Sequence, residues 1–313
     1  MKTVHNATDL NFDSSTVTIG FFDGVHLGHK SILRHTLNKA DELRCPSVVL
    51  SFWPHPRIVL GKDARDLRLL STLTEKQELL QRIGVSAFLQ MEFTRELAAL
   101  PAEDFIKNIL VDELKAKHIV VGFNHHFGKG GKGDFNLLNQ LAHKYGYTTE
   151  QVGATQLNGL DVSSTKIRNY LDDGNLDVAN QMLGYNYSIT GTIEGGQQIG
   201  RSIGFPTANI NPIDPHKILP KLGVYAVWVT YNGTKHPAML NIGIRPTIGN
   251  NLKLTVEAHI IGFNQNIYNQ EITIEFVKRI RDEVKFTGLA DLKAQLERDR
   301  LTVLRTLNEI GKL

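Results

Sequence analysis

Hydrophobic positions along the first half of the chain alternate between two periods. Ser15–Phe21 reads as a strand, and His29–Arg44 carries Ile32, Leu33, Leu37, Ala40 and Leu43 at helical spacing. Ser47–Phe52 is a second apolar strand. Thr74-Glu75-Lys76-Gln77 fits a capping box opening a helix that Gly84 ends, and Val85–Met91 is the next strand. Pro101 stands at the first turn of another helical stretch, followed by strand His118–Gly122 and helix Phe135–Tyr145. Such strand–helix alternation predicts an α/β unit, a doubly wound parallel sheet with helices on both faces. Ligands of these sheets collect at the carboxyl ends of the strands, so the loops after strands are where chemistry is expected.

Near Leu183 the pattern changes. Short segments rich in β-branched and aromatic residues follow: Tyr185–Ile193, Val224–Tyr231, Ala238–Ile242, Thr255–Ile261 and Ile272–Val277. Turn formers, among them Asn232-Gly233 and Gly249-Asn250, separate them, and Gly288–Leu307 reads as a long amphipathic helix. This predicts an antiparallel β-barrel or sandwich closed by a C-terminal helix. The predicted domains are therefore 1–184 and 185–313.

Composition narrows the function classes. A chain of 313 residues, 41% hydrophobic, can bury a core in each of two domains. Its 35 Lys+Arg against 32 Asp+Glu leave a net charge of +3, too small a surplus for a protein that coats nucleic acid. Cys45, the single cysteine, excludes an internal disulfide framework and multi-cysteine zinc sites, and it suits a reducing compartment. The first ten residues lack a signal-peptide run and no 18-residue apolar stretch occurs, so the expectation is a soluble cytoplasmic protein without a membrane partner. Composition does not speak to oligomeric state.

Four segments carry candidate chemistry. Gly20-Phe21-Phe22-Asp23-Gly24-Val25-His26-Leu27-Gly28-His29 joins the first strand to the first helix. Its glycines permit close backbone approach, and a helix N-terminus offers N–H groups to an anion. Two histidines could face one point. A tight turn with incidental histidines and a zinc pair are the alternatives, the latter lacking a third ligand. Ser163-Ser164-Thr165-Lys166-Ile167-Arg168 opens a short helix, where hydroxyls cap backbone donors or, with the cations, clamp phosphates. Gly128, Gly130 and Gly133 formally satisfy GxGxxG, which raises a dinucleotide-binding oxidoreductase as a rival. Gly195-Gly196-Gln197-Gln198-Ile199-Gly200-Arg201-Ser202-Ile203-Gly204-Phe205-Pro206-Thr207-Ala208-Asn209 nearly matches a P-loop. Arg201 stands where that loop needs Lys, and Gly204 with Pro206 argues against the helix it must enter. Finally, Ser51–Arg57 follows the second strand, where Phe52 or Trp53 could wall an aromatic ligand or simply pack a rigid turn.

These strings resemble one family in order and spacing, from about Val17 to Leu296. Gly20–His29 is similar to the HxGH-containing N-terminal motif of bacterial bifunctional riboflavin kinase/FAD synthetases, and Ser163–Arg168 resembles that family's second nucleotidyltransferase motif. Gly195–Asn209 resembles the riboflavin-kinase flap and metal motif, with Asn241–Thr247 and Val256–His259 as the next blocks. The resemblance implies an N-terminal nucleotidyltransferase domain and a C-terminal riboflavin kinase domain. The substrates would be ATP, riboflavin and FMN, with FAD as product and Mg²⁺ accompanying ATP. His26, His29 and Glu257 would be catalytic. Gly20, Phe21, Phe22, Asp23, Gly28, Ser163, Ser164, Thr165 and Arg168 would bind one nucleotide, and Gly200, Gly204, Pro206 and Thr207 the other. Asn124, Arg201 and Phe52 would contact flavin, and Thr207 with Asn209 would hold the metal. Where the family reads Gly-x-Asp-Phe-x-Phe-Gly, Asn124 and His125 depart from it. Two rivals stand beside this reading: a non-catalytic flavin-binding regulator and a nicotinamide-dependent oxidoreductase.

Overall fold

The computed structural model describes residues 1–61, 67–195, 203–246 and 252–310. They divide into two units, Met1–Ser164 and Thr165–Leu313.

The first unit runs β1 (Lys2–Val4), β2 (Ser15–Ile19), α1 (Leu27–Leu43), β3 (Ser47–Trp53), α2 (Pro56–Val59), α3 (Leu73–Ile83) and β4 (Ala87–Glu92). It continues through α4 (Arg95–Ala99), α5 (Ala102–Asp104) leading into a π-helical stretch Phe105–Glu113, β5 (Ala116–Gly122), α6 (Phe135–Tyr145) and β6 (Thr148–Val152). A small hairpin, β7 (Gln156–Leu157) and β8 (Leu160–Asp161), follows. Six strands pair in parallel in the order β1-β4-β3-β2-β5-β6. From β2 the chain steps outward to β3 and β4, then returns to lay β5 and β6 on the other side. The switch point of this doubly wound sheet is therefore at β2 and β5, where ligands of such sheets bind.

Alternation along the strands sends neighbours to opposite faces. Val48 and Leu50 pack with Phe105, Ile109 and Leu138, whereas Val49 packs with Leu33, Leu80 and Phe88. The π-helical stretch and α6 thus cover one face, and α1 and α3 the other. Full burial of each such side chain contributes roughly 1.5–3 kcal/mol. The capping box of α3 forms at Thr72 and Glu75, not at Thr74 as the sequence pattern predicts. Leu70 and Ser71 are tied to Asp23, which fixes where the chain enters the helix. Gly84, with φ of 98°, ends that helix as expected.

Helix α7 (Ser164–Asp173), all but its first residue, begins the second unit, and α8 (Leu176–Leu183) comes next. Strands β9 (Ser188–Glu194), β10 (Ala208–Pro212), β11 (Gly223–Tyr231), β12 (Thr234–Pro246), β13 (Leu252–Ile260) and β14 (Glu271–Arg281) follow. They close an antiparallel barrel in the order β10-β13-β12-β11-β14-β9. Asn232 and Gly233 both take positive φ between β11 and β12, the hairpin turn their sequence predicts. Tyr225, Leu240, Ile242 and Phe276 are fully buried. The closing helix α9 (Leu289–Ile310) lays Val303 and Leu307 over Phe205, Met239 and Val277. Asp299 on α9 is buried and takes a two-pronged ion pair from Arg281 of β14. Helix α8 packs on the barrel as well: the Asn180 amide donates to the Phe276 carbonyl and accepts from the Tyr187 N–H.

Candidate active site

In the first unit the segment after β2 is built as a sharp, internally tied turn. Phe22 and Val25 both sit at positive φ, 49° and 37°, a costly conformation for a β-branched residue that only a rigid surround sustains. That surround is Asp23. Its buried carboxylate accepts from the backbone N–H of Leu70 at 2.9 Å and of Ser71 at 3.0 Å, while Gly24 N–H donates to Ser71 Oγ. The Phe22 and Val25 side chains plug the α1–α3 core. Phe22 and Asp23 are thus turned inward, and what they offer a nucleotide is backbone. Asp23→Ala should destabilise this unit by about 2–6 kcal/mol, because two buried donors lose their acceptor at roughly 1–3 kcal/mol each. A urea titration of the variant measures it; an unchanged midpoint would remove Asp23 from the turn's support.

His26 is the N-cap of α1, and its Nδ1 accepts from the His29 N–H at 3.3 Å. That bond assigns the ring proton to Nε2. The His26 and His29 rings stack, centroids 3.7 Å apart and 16° from parallel, and Phe22 meets His29 edge-on at 5.2 Å. Gly28 leaves room for this stack: a Cβ there would press on the His26 ring, 3.1 Å from Cε1. The paired histidines and the first turn of α1 therefore form one preorganised donor surface at the carboxyl end of β2. Ser164 Oγ donates to the Asp23 carbonyl at 3.1 Å, which ties Ser164 to the turn after β2. Ser163 precedes it in this unit, whereas Thr165 and Arg168 are on α7, counted with the second unit.

An aromatic cluster stands beside that surface. Phe21 packs on His55 at 4.7 Å and near Phe52, which also meets Phe93 and Phe105. Phe52 is half-buried at the end of β3. Asn124 lies exposed in the turn after β5, next to the switch point. His125 pairs with Phe127 in place of an aromatic ring, and burial pushes its imidazole down to about 4, so it is neutral at pH 7. Lys76 was not apparent from sequence. Burial pushes its ammonium below the ordinary lysine value, with Asp23 acting in the opposite direction.

The GxGxxG match does a different job from a phosphate loop. Gly128, at φ 69°, lies so close to Ala102 that a Cβ would be 2.6 Å from its Cα. Helix α6 is capped by Asp134, whose Oδ1 accepts from Leu137 N–H at 2.9 Å, so a side chain already occupies the N-terminus that a pyrophosphate would need.

In the barrel, Asn209 on β10 and Asn241 on β12 are both directly opposite Glu257 on β13. Directly opposed side chains share a face, with Cβ atoms roughly 4.5–5.5 Å apart. Thr207, two residues before Asn209, lines a cavity of about 370 Å³ with Pro206, Phe263 and Tyr268. Ala208 and Ala258 line it too and alternate with Asn209 and Glu257, whose side chains face the other side of the sheet. Gly204 precedes it at φ 86°, and the His259 ring bonds the Pro206 carbonyl at 2.8 Å. No helix occurs among the described residues between β9 and β10, as the reading against a P-loop expects. Gly200 and Arg201 lie outside the described residues.

A doubly wound nucleotide-site unit joined to a closed six-stranded barrel with an apposed carboxylate and amides defines a class of two-module nucleotide-using protein. Residues 9–166 match the family model for FAD synthetase, and residues 183–307 the model for riboflavin kinase. The chain is 37% identical over 295 residues to a bifunctional riboflavin kinase/FMN adenylyltransferase of Listeria monocytogenes, covering 93% of this chain and 91% of the relative. It is 39% identical to the Haemophilus influenzae protein of the same description, covering 96% of both. A crystal structure of a macrolide-efflux protein from Streptococcus pneumoniae shares the fold with a TM-score of 0.87 and 30% identity, over 96% of this chain and 97% of that one. The chain belongs to the bifunctional riboflavin kinase/FMN adenylyltransferase family. Among the described residues no helix is long and apolar enough to cross a membrane.

Proposed function

We propose that this chain makes FMN and FAD in two successive reactions. Residues 185–313 phosphorylate riboflavin with ATP, and residues 1–184 transfer AMP from a second ATP to FMN, releasing pyrophosphate. The observation that carries the reading is the pair of built sites: stacked histidines at the switch point of the sheet, and Glu257 set directly opposite two amides on neighbouring barrel strands.

In the barrel, Glu257 accepts the proton of the ribityl 5′-hydroxyl as its oxygen bonds the γ-phosphorus and the bond to ADP breaks. Thr207, just before β10, and Asn209 on it would supply neutral oxygens to a metal ion. No group of three acidic, His or Cys side chains that could hold a metal occurs among the described residues. This donor set fits Mg²⁺, which keeps waters and takes its remaining ligands from nucleotide phosphates. When bound, the ion neutralises charge on the transferring phosphate. Gly204 and Pro206 border the ATP phosphates.

In the α/β unit, an FMN phosphate oxygen attacks the α-phosphorus of ATP and pyrophosphate leaves. FMN phosphate is already ionised, so positioning and charge stabilisation are the task. His26 and His29 stabilise the crowded α-phosphoryl group, with the Gly20–Gly28 backbone around it. Ser163, Ser164, Thr165 and Arg168 hold the leaving pyrophosphate. Phe52 and Asn124 face the flavin. The setting is cytoplasmic, with small molecules rather than nucleic acid as partners.

The test is product analysis. Full-length protein with riboflavin, ATP and Mg²⁺ should yield FMN and then FAD, separated by chromatography, and a fragment from Thr165 to Leu313 should stop at FMN. That start retains the Asn180 bonds to the barrel and the Lys221 N–H bond to the Leu171 carbonyl. Flavin binding without turnover would instead support a regulator. A folded fragment that makes no FMN would overturn the assignment of the kinase to the barrel.

A further inference from the structure

The segment after β14 is held at two points before it reaches Glu283. Arg279 Nη2 bonds the Asp282 carboxylate at 2.5 Å, and Arg281 Nη1 bonds the Asp282 carbonyl at 2.9 Å while its other nitrogens grip Asp299 of α9. So anchored, the chain delivers the Glu283 carboxylate onto β12. There its Oε1 accepts from Asn241 Nδ2 at 3.2 Å and occupies the space where a side chain at Gly243 would begin. A Cβ at position 243 would be 2.9 Å from Glu283 Cδ and would run into Oε1. Gly243 is not at positive φ, so no turn demands glycine there, and the same Cβ would also stand 2.9 Å from Asn241 Nδ2: the missing side chain leaves room for the carboxylate and the amide together. Asn241 is the residue directly opposite Glu257.

We infer that Glu283 is a positioning residue for phosphoryl transfer in the barrel: it fixes the Asn241 amide beside Glu257, and Gly243 is the space that admits it. The inference rests on the proposed reading of Glu257 as the base. An amide whose nitrogen is committed to Glu283 presents its oxygen in a defined direction along the Asn209–Glu257–Asn241 row. Without that tie the amide can rotate, and the row loses one fixed dipole next to the proton acceptor.

Full-length variants test it, with kcat and KM for riboflavin phosphorylation measured separately and FAD formation from supplied FMN as the control for folding. Glu283→Ala should lower kcat roughly tenfold to a hundredfold, the usual cost of losing a supporting partner, with KM for ATP nearly unchanged. Glu283→Gln keeps an oxygen that can accept from Asn241 and should recover most of the rate. Glu283→Ala combined with Asn241→Ala should be no slower than Asn241→Ala alone, and Gly243→Ala, whose Cβ would press on both Glu283 and Asn241, should lower kcat at least as much as Glu283→Ala. Additive losses in the double variant, or an unchanged kcat in Glu283→Ala while Glu257→Gln is inactive, would overturn the inference alone. A fully active Glu257→Gln would overturn both the reading of the site and the inference built on it.

Discussion

Glu257→Gln is expected to slow riboflavin phosphorylation by roughly 10²–10⁴, the usual contribution of a positioned general base, while FAD formation from supplied FMN continues. The substitution keeps the shape of the side chain, so the pairing of β13 with β10 and β12 should survive. What it removes is the capacity to accept a proton from a hydroxyl. That capacity matters here because a ribityl alcohol, unlike the phosphate of FMN, holds its proton at neutral pH. Residual activity should come from the groups that remain, Asn209 and Asn241 on either side and Thr207 at the cavity. A kinase rate within a fewfold of the parent would make Glu257 an ordinary half-buried strand carboxylate and would return the search for the base to its neighbours.

How much of this was legible in the sequence depends on the kind of signal. Strong periodicity carried the architecture: Phe135–Tyr145 is helical at the residues expected, and β3 and β11 fall within one residue of their predicted bounds. Weak or polar segments did not announce themselves. β1 is three residues long, β6 reads Thr-Thr-Glu-Gln-Val, and β10 reads Ala-Asn-Ile-Asn-Pro, compositions that look like loops until barrel or sheet neighbours supply their hydrogen bonds. The motifs located the sites, but not what each residue does within them. Asp23 lies in the phosphate-site string, yet its carboxylate is spent on Leu70 and Ser71, 47 and 48 residues away. Of the GxGxxG glycines, Gly128 serves packing against Ala102 and Gly133 packing against Phe127. Asn241 and Gly243 were visible as a block, but their shared partner is Glu283, some forty residues on in a segment without periodicity. Such pairings come from the tertiary fold, and local patterns do not encode them.

His29→Ala is expected to lower FAD formation from FMN by roughly 10²–10³, the cost of one preorganised transition-state donor, with riboflavin phosphorylation nearly unchanged. The argument starts from α1. Its N-cap is His26, whose ring accepts the His29 N–H and lies stacked on the His29 ring, so the two imidazoles are fixed relative to the helix end and to each other. Fixed donors at a helix N-terminus stabilise negative charge without reorganising when it develops, which is what the α-phosphoryl group demands in the transition state. Removing the ring also leaves space beside Phe22, so part of the loss could reflect a looser turn. Thermal unfolding of the first unit separates the two effects. A conformational cause would lower the melting temperature together with the rate, whereas a chemical one leaves melting close to the parent. His29→Gln restores a donor near the same place and should recover some activity only in the chemical case. An equal fall in FMN and FAD formation would be incompatible with two separate sites, because every barrel group assigned to the kinase is retained in this variant.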